Sequence, residues 1–336
     1  MPSNIGYMTT DGIDLNEILY GKILPIIDVY NSEEVLDLRA LLCQDWDESF
    51  YQFDVSGQWK FEDLGESSIP KAKKIVLGKK QKDTKKRGLR IGYTYDWLVS
   101  EMASADQILR LTKKAVGRDR ALITATILDA MLQKTVDGFF NGSFDTYEKL
   151  TAPPSYGANS FTSSHSHYVA TGSSTLSLAN ITAAKKHIKE HGFKGNIWGF
   201  CNADFISKIE DLGGWAAQSQ TNFIVPTTVV NNISVEGFRG KLLGINWKET
   251  EWMPDDYFLL VGENDSQVIK PVNYIQKKNP AGKGLKLLPG NTAGYPLIDS
   301  YYIHFLAAQV ILRAAGVVYY LGSSWTDPNV LANVVE

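Results

Sequence analysis

Two cysteines in 336 residues leave no room for a disulfide framework. Cys43 and Cys201 stand far apart and match neither a metal-ligand nor a redox spacing, so both are expected to be reduced, structural thiols in an intracellular setting. The opening residues, MPSNIGYMTTDGIDL, lack the basic start and the apolar run of a secretory signal. The chain is therefore not expected to be secreted, and the sequons at Asn141, Asn180 and Asn232 carry no weight. No uninterrupted apolar run is long enough for a membrane span. The best candidate, Tyr301 to Leu321, is broken by His304, Gln309 and Arg313 and reads as a buried strand or helix pair. Also missing are G-x-S-x-G, a Walker loop and a G-x-G-x-x-G after a strand; Pro280-Ala-Gly-Lys-Gly-Leu lacks the Gly spacing and the Ser/Thr of a phosphate loop. A net charge of -3 and a pI of about 6.0 argue against a protein whose main task is to hold nucleic acid.

What the chain does have is apolar content, 44%, sufficient for a sizeable core in one or two domains. It also has a sharp charge asymmetry. Met1 to Pro70 holds 14 acidic residues and 3 basic ones, whereas Lys71 to Arg90 holds 10 basic residues and one acid, Asp83. An acidic arm runs directly into a basic loop. Most charge runs are simply solvated faces, but opposite signs on adjoining segments also suit contact with a second copy of the chain.

Residues 1–45 mix short apolar stretches, such as Ile23 to Ile27 interrupted by Pro25, with scattered acids; they predict an extended arm with a short helix around Glu33 to Leu42. Such an arm needs a partner surface for its apolar residues. Tyr51, Phe53, Val55, Trp59 and Phe61 share one face of an alternating pattern, and Leu89, Ile91, Tyr93, Tyr95 and Trp97 repeat it, predicting two half-buried strands. The polar, lysine-rich stretch between them is far longer than a hairpin turn. The expectation is a long two-stranded flap which, being marginal in water alone, rests on another copy. Ser104 and Gln107 form a capping-box pattern. Ile108, Leu111, Ala115, Leu122, Ala125, Leu128, Leu132, Val136 and Phe139 then keep helical spacing to Phe140, with Asn141-Gly142 as the stop. About 36 residues at about 1.5 Å each give a spine of about 54 Å, with Gly117 as a point of bending or breakage. Residues 141–177 read as loop or irregular hairpin. Regular α/β structure follows: a helix over about Leu178 to His191 ending at Gly192, a strand Asn196 to Cys201, a short helix over about Ala203 to Leu212, and strand-like Leu242 to Thr250 and Tyr257 to Val261.

Two histidine motifs raise the question of a metal. His187-Ile-Lys-Glu190-His191 fits the H-x-x-E-H pattern of inverted zinc proteases, in which two imidazoles one helical turn apart hold the ion and the Glu acts as general base. Gly192 would leave the second histidine on a fraying last turn, and the helix dipole gives histidine at a C-terminus an ordinary explanation. His165-Ser-His167 lies in a Ser-rich loop with no Cys or carboxylate close in sequence. Neither motif is taken as a metal site, and no catalytic, cofactor or metal-binding residue is expected. A zinc-dependent hydrolase using His187, Glu190 and His191 is the alternative from the enzyme class. The lysine run with Trp59 and Trp97 has the chemistry to bind phosphates and bases, but those tryptophans continue the apolar face of the predicted strands.

An acidic arm, a basic flap, a long helix, an α/β unit and a late apolar return, in that order, resemble the tailed-bacteriophage major capsid proteins of the Hong Kong 97 fold over nearly the whole chain. The most telling stretch is Phe238-Arg-Gly-Lys-Leu-Leu-Gly-Ile-Asn-Trp followed by Met253-Pro-Asp-Asp-Tyr-Phe-Leu-Leu-Val-Gly: a strand, a Leu-Leu-Gly turn, a second strand, then a Met-Pro turn into an apolar strand. Ile303 to Tyr320, with Arg313 inside it, looks like the family's closing strands. The resemblance implies an α+β, Hong Kong 97-like capsid fold. Its parts would be an N-terminal arm (1–45), an extended β-hairpin loop (46–98), a peripheral domain (99–175 and 271–315) with spine helix 104–140, and an inserted axial domain (176–270 and 316–336). It implies a structural, non-enzymatic subunit that self-assembles into hexamers and pentamers of an icosahedral phage head around double-stranded DNA, without sequence-specific DNA binding, cofactor or membrane. The location implied is the virion, after assembly in the host cytoplasm. Separate scaffolding, portal and decoration proteins are the implied partners, and an encapsulin-like nanocompartment shell is the near alternative. In some relatives a loop lysine forms an isopeptide bond with a neighbour's asparagine, but no motif here identifies such a lysine. Lys79, Lys80, Lys82, Lys85, Lys86 and Trp59, on the flap, are the expected inter-subunit contacts.

Overall fold

The structure, a computed structural model, describes residues 9, 11–32, 38–47, 50–54, 77–94, 104–134, 137–140, 143–146, 159, 161, 165–217, 238–263, 270–289 and 297–335. The arm is helical: α1 (Leu15–Ile18), a wide π turn (Leu19–Ile23) and α2 (Leu24–Ser32) precede α3 (Leu38–Leu42) and β1 (Cys43–Trp46). Pro25, which has no N–H for an interior turn, falls in the first turn of α2, where that donor is not needed. β2 (Phe50–Asp54), β3 (Leu77–Gln81) and β4 (Lys85–Thr94) lead to the spine helix α4 (Ala105–Leu132). Then come β5 (Asp137–Phe140), β6 (Ser143–Thr146), β7 (Tyr168–Ala170), α5 (Leu178–Glu190), β8 (Ile197–Cys201), α6 (Ala203–Glu210) and β9 (Ala216–Ala217). The remaining strands are β10 (Phe238–Leu242), β11 (Ile245–Glu249), β12 (Tyr257–Gly262), β13 (Val272–Gln276), β14 (Lys286–Pro289), β15 (Leu297–Val310) and β16 (Gly316–Tyr320).

A mixed seven-stranded sheet runs in the order β7-β16-β12-β8-β11-β10-β9. Both of its faces are covered, so its inner strands read as continuous apolar runs instead of alternating ones. In β12, Phe258 and Leu260 pack under α5 and α6 with Ile181, Ile188, Phe205 and Ile209. Tyr257, Leu259 and Val261 face the other way, onto Leu128, Met131 and Leu132 of α4. The β10–β11 turn is Leu243-Gly244, both at positive φ (53° and 75°), the left-handed pair that suits the twist of a tight hairpin. The Leu-Leu-Gly and Met-Pro turns thus lie where the sequence places them. Beside Trp247, in register on β8, stands Gly199: a Cβ there would lie 2.6 Å from the indole ring. The glycine is what lets a fully buried indole lie flat against its neighbour strand.

The second sheet is built on β15. β4 pairs along one side of it, from Leu297↔Thr94 to Leu306↔Lys85. The other side is shared by β14 and, further along, β13, which also pairs with β1. Two of the polar residues that interrupt this apolar segment, His304 and Arg313, are held by hydrogen bonds in the packing, while Gln309 Oε1 is buried without a partner. His304 Nδ1 lies 2.9 Å from Asp119 Oδ1 of α4, and Tyr30 donates to Asp119 Oδ2 at 2.8 Å. Burial, followed by the charge of Asp119, pushes the Tyr30 hydroxyl pKa well up. Arg313 donates to Tyr168 Oη and, at 3.3 Å, to the Met131 carbonyl, one of the acceptors that the C-terminus of α4 leaves without an intrahelical donor. Cys43 and Cys201 are buried and unpaired, as expected, and no helix among the described residues is long and apolar enough to cross a membrane.

Four expectations are corrected. The arm, expected as extended, is helical over Leu15–Ser32, and the surface it needs is on its own chain: Ile18, Ile23, Ile27 and Tyr30 bury against Ala105, Ile108 and Ala115 of α4 and against Tyr302. The ribbon strand β2 pairs with β3, not with the segment at Leu89, which lies instead on β15 within the body. Period-two alternation does not name a partner, and on β4 it does not mark a buried face either: Leu89 is 43% exposed and Ile91 half-buried. The spine is 28 residues, about 42 Å, and runs without a break through Gly117, which has open space around it. It stops at Leu132, where the C-cap Gln133 is extended, and Asp137–Phe140, expected as the end of the helix, pairs as a strand with Ser143–Thr146; Asn141-Gly142, the expected stop, lies outside the described residues. The capping box of Ser104 and Gln107 is present.

Two substitutions test this packing. Gly199→Ala should destabilise dispersed subunits by about 1–3 kcal/mol in urea unfolding, because Trp247 has nowhere to retreat. Asp119→Ala, which strands the Tyr30 hydroxyl and His304 in the core, should cost about 3 kcal/mol or more, and Asp119→Asn, which retains an acceptor, clearly less.

Candidate functional site

The flap residues do not act as one patch. Trp59 lies outside the described residues, and so does Trp97. Lys79 and Lys80 lie on β3, opposite Gln52 and Tyr51 of β2. Lys82 and Lys85 line a pocket with Arg87 and with Asp129 and Gln133 of the same subunit's spine helix. Burial raises the Asp129 pKa, and the charges of Lys82, Arg87 and Lys85 oppose that rise. Part of the basic run is thus spent on its own helix. Lys86, one residue along β4, is exposed. β3 also lies alongside β5, so within the described residues the ribbon has a neighbour on its own chain.

The two histidine motifs, in contrast, converge. α5 begins at a second capping box, Ser177 with Asn180, and lays Ile181, Ala184 and Ile188 on the sheet. This rotation turns His187 and His191, one turn apart, toward the chain entering β7. There His165 and His167 complete a group of four imidazoles whose ligand-capable nitrogens all lie within 4.8 Å of one another. His167 is 3% exposed and His191 8%. The His167 Nδ1–H donates to the Gly316 carbonyl at 2.6 Å, which leaves the lone pair on Nε2. That Nε2 and the Nε2 of His187 are buried with no hydrogen-bond partner, and the Nε2 atoms of His165 and His191 face each other at 3.0 Å. Phe161 stacks against His165 and His191 at ring-centroid distances of 4.6 and 4.1 Å.

Burial is the largest cause holding all four pKa values below the ordinary imidazole value. His187 and His191 fall to about 4 and His167 to about 2, with neighbouring imidazoles adding to the shift. The charge of Glu190 opposes it at His165 and His187. The Glu190 carboxylate itself pairs with Lys186 at 3.6 Å. At neutral pH the rings are therefore uncharged, and each keeps a lone pair. Neither motif identifies this site by itself. The available sign was that four of the five histidines in the chain fall in two motifs about one helix apart.

No family model and no curated protein matches the sequence. Solved structures do. A chain from Mycobacterium phage Patience is similar over 96% of this chain and 92% of its own length, at 22% identity and a TM-score of 0.69. The capsid of an empty GTA particle computed with C5 symmetry covers 86% of this chain and 91% of its own at 12% identity, with a TM-score of 0.53. The capsid of the cyanophage P-SCSP1u covers 86% and 88% at 12% identity, with a TM-score of 0.50. The two-sheet body on a spine helix, with arm and ribbon attached, is therefore the α+β fold of phage capsid subunits, the Hong Kong 97-like fold that the sequence resembles.

Proposed function

We propose that this chain is a major capsid protein, a structural subunit that self-assembles into the hexamers and pentamers of an icosahedral phage head enclosing double-stranded DNA. The observation that carries this reading is the likeness to the Mycobacterium phage Patience chain, which spans 96% of this chain and 92% of the other, leaving neither with a large additional domain. A subunit of this kind works through its surfaces. No substrate chemistry has to be found in it, and a non-enzymatic role follows. Its place would be the virion, reached by assembly in the host cytoplasm with separate scaffolding, portal and decoration proteins.

The residues that would meet a neighbour are on the ribbon and β4. Lys79, Lys80 and Lys86 are assigned to contacts between subunits, where an acidic surface of a neighbour would receive them. Lys82 and Lys85, beside Asp129, chiefly hold β4 to the spine of their own subunit. Exposed ion pairs contribute under about 1 kcal/mol each, so their effect on a shell comes from the number of copies and from orientation.

Two experiments test this function. Electron microscopy of the protein expressed alone and with its neighbouring genes should show uniform hollow particles; a protein that stays monomeric under both conditions refutes the reading. Replacing Lys79, Lys80 and Lys86 together with Gln should lower particle yield. The deficit should be largest at low salt and shrink as screening removes the same attraction from the unaltered chain. Equal yields across the salt series would remove the ribbon from the assembly mechanism.

A further inference from the structure

We propose that His165, His167, His187 and His191 form a four-coordinate site for a divalent transition-metal ion, zinc by its chemistry, which staples the start of β7 to the C-terminal turn of α5. Nothing in a shell subunit's function requires such a site. The inference rests on the cluster itself and stands apart from the capsid reading.

The four rings are spaced as a tetrahedral set requires, with nitrogens that lie within 4.8 Å of one another and would draw in around an ion. Zinc–imidazole bonds of about 2.0–2.1 Å put the ligating nitrogens about 3.3 Å apart and the ring centres about 5 Å apart. His165 Nε2 and His191 Nε2 are 3.0 Å apart. The six ring-centroid distances among the four histidines fall between 4.6 and 5.9 Å. Four rings packed as a flat stack, or as two separate pairs, would include distances well beyond that range. Equal mutual spacing of all four is what convergence on one point produces.

The chemistry agrees. A buried polar atom without a partner is costly, and this cluster holds two such nitrogens on the side of its shared centre: His167 Nε2 and His187 Nε2. Imidazoles meeting other imidazoles cannot all be satisfied, since a neutral ring has one donor and one acceptor. A cation that accepts lone pairs answers that shortage with a single atom. The Gly316 carbonyl fixes the tautomer and the orientation of His167, as carbonyls commonly do behind metal-bound histidine. Borderline-soft imidazole donors in a tetrahedral set match zinc better than the hard cations magnesium or calcium, which take oxygen ligands.

This is not a hydrolase centre. Catalytic zinc retains an open position for water beside three protein ligands, whereas four imidazoles fill a closed, structural set. The Glu190 carboxylate, the general base of the H-x-x-E-H reading, is turned to Lys186. What the site can do is hold chain together. β7 is three residues long and lies at the edge of the seven-stranded sheet, so it has few bonds of its own. Tying the two residues just ahead of it to α5 fixes both the strand and the end of the helix.

The test uses tag-free protein, dialysed against zinc and then against metal-free buffer. Elemental analysis should give about one zinc ion per chain, and a zinc chelator should lower the melting temperature by roughly 5 °C or more, reversibly on adding zinc back. Less than about a tenth of an ion per chain, or a melting temperature indifferent to chelator and zinc, overturns the proposal. His187→Ala should abolish binding. Because that variant removes a packed ring, His165→Ala, at the most exposed of the four positions, is the decisive one. It should fold with an unchanged circular dichroism spectrum, bind zinc at least tenfold more weakly and lose the chelator response. Retention of zinc with unaltered affinity in His165→Ala places the metal elsewhere and refutes the site.

Discussion

The carboxylate of Asp119 stands where three remote stretches of chain meet: the arm through Tyr30, the spine helix that carries it, and β15 through His304. It is 5% exposed, and a buried carboxylate is tolerable only while its partners replace the water it has lost. That requirement fixes register. Sliding the arm along the helix, or the helix along the strand, would break one contact or the other. Two turns earlier Thr112 meets the Tyr302 hydroxyl at 3.0 Å, so the same helix and strand are joined at a second point. With α4 and β15 locked, β4, β13 and β14 inherit their positions from β15, and the seven-stranded sheet inherits its position from the C-terminal half of α4.

Local chemistry was legible in the sequence wherever a residue's own backbone or cap decided the outcome. The capping box at Ser104, the Leu243-Gly244 turn, the turn after Met253 and the apolar run of β12 all lie where the residues place them. Partnership was not legible. The alternation around Leu89 fits a ribbon strand and a neighbour of β15 alike, and Leu89 itself is left exposed. Val136 and Phe139 keep the spacing of the spine helix, so periodicity alone could not stop the helix at Leu132. The apolar residues of the arm demanded a surface without saying whose it was. The structure supplies it from α4 and Tyr302 of the same chain.

The histidine cluster shows the same limit from the side of function. Each motif, taken singly, has a mundane explanation: a helix C-terminus for His187 and His191, a polar loop for His165 and His167. Their meeting depends on β7 lying beside β16 while α5 covers the adjacent face of the sheet, which is tertiary information. The basic run presents the reverse case. Its composition was obvious, yet Asp129 engages Lys82 and Lys85 within the subunit, so a charge count overstated what is left for a neighbour.

The strand order β7-β16-β12 carries a consequence in time. After β12 the chain leaves the seven-stranded sheet, builds β13 to β15 in the other sheet, and only then returns as β16, which is inserted between two strands made much earlier. Until the ribosome has passed Tyr320, β7 has no strand to pair with, and β12 presents one bare edge. Early segments of a nascent chain fold first and must wait with open ladders, the state most prone to wrong pairing. Synthesis of β16 therefore acts as a gate on this sheet: a chain interrupted before it exposes open edges, and its arrival closes them in a single late insertion.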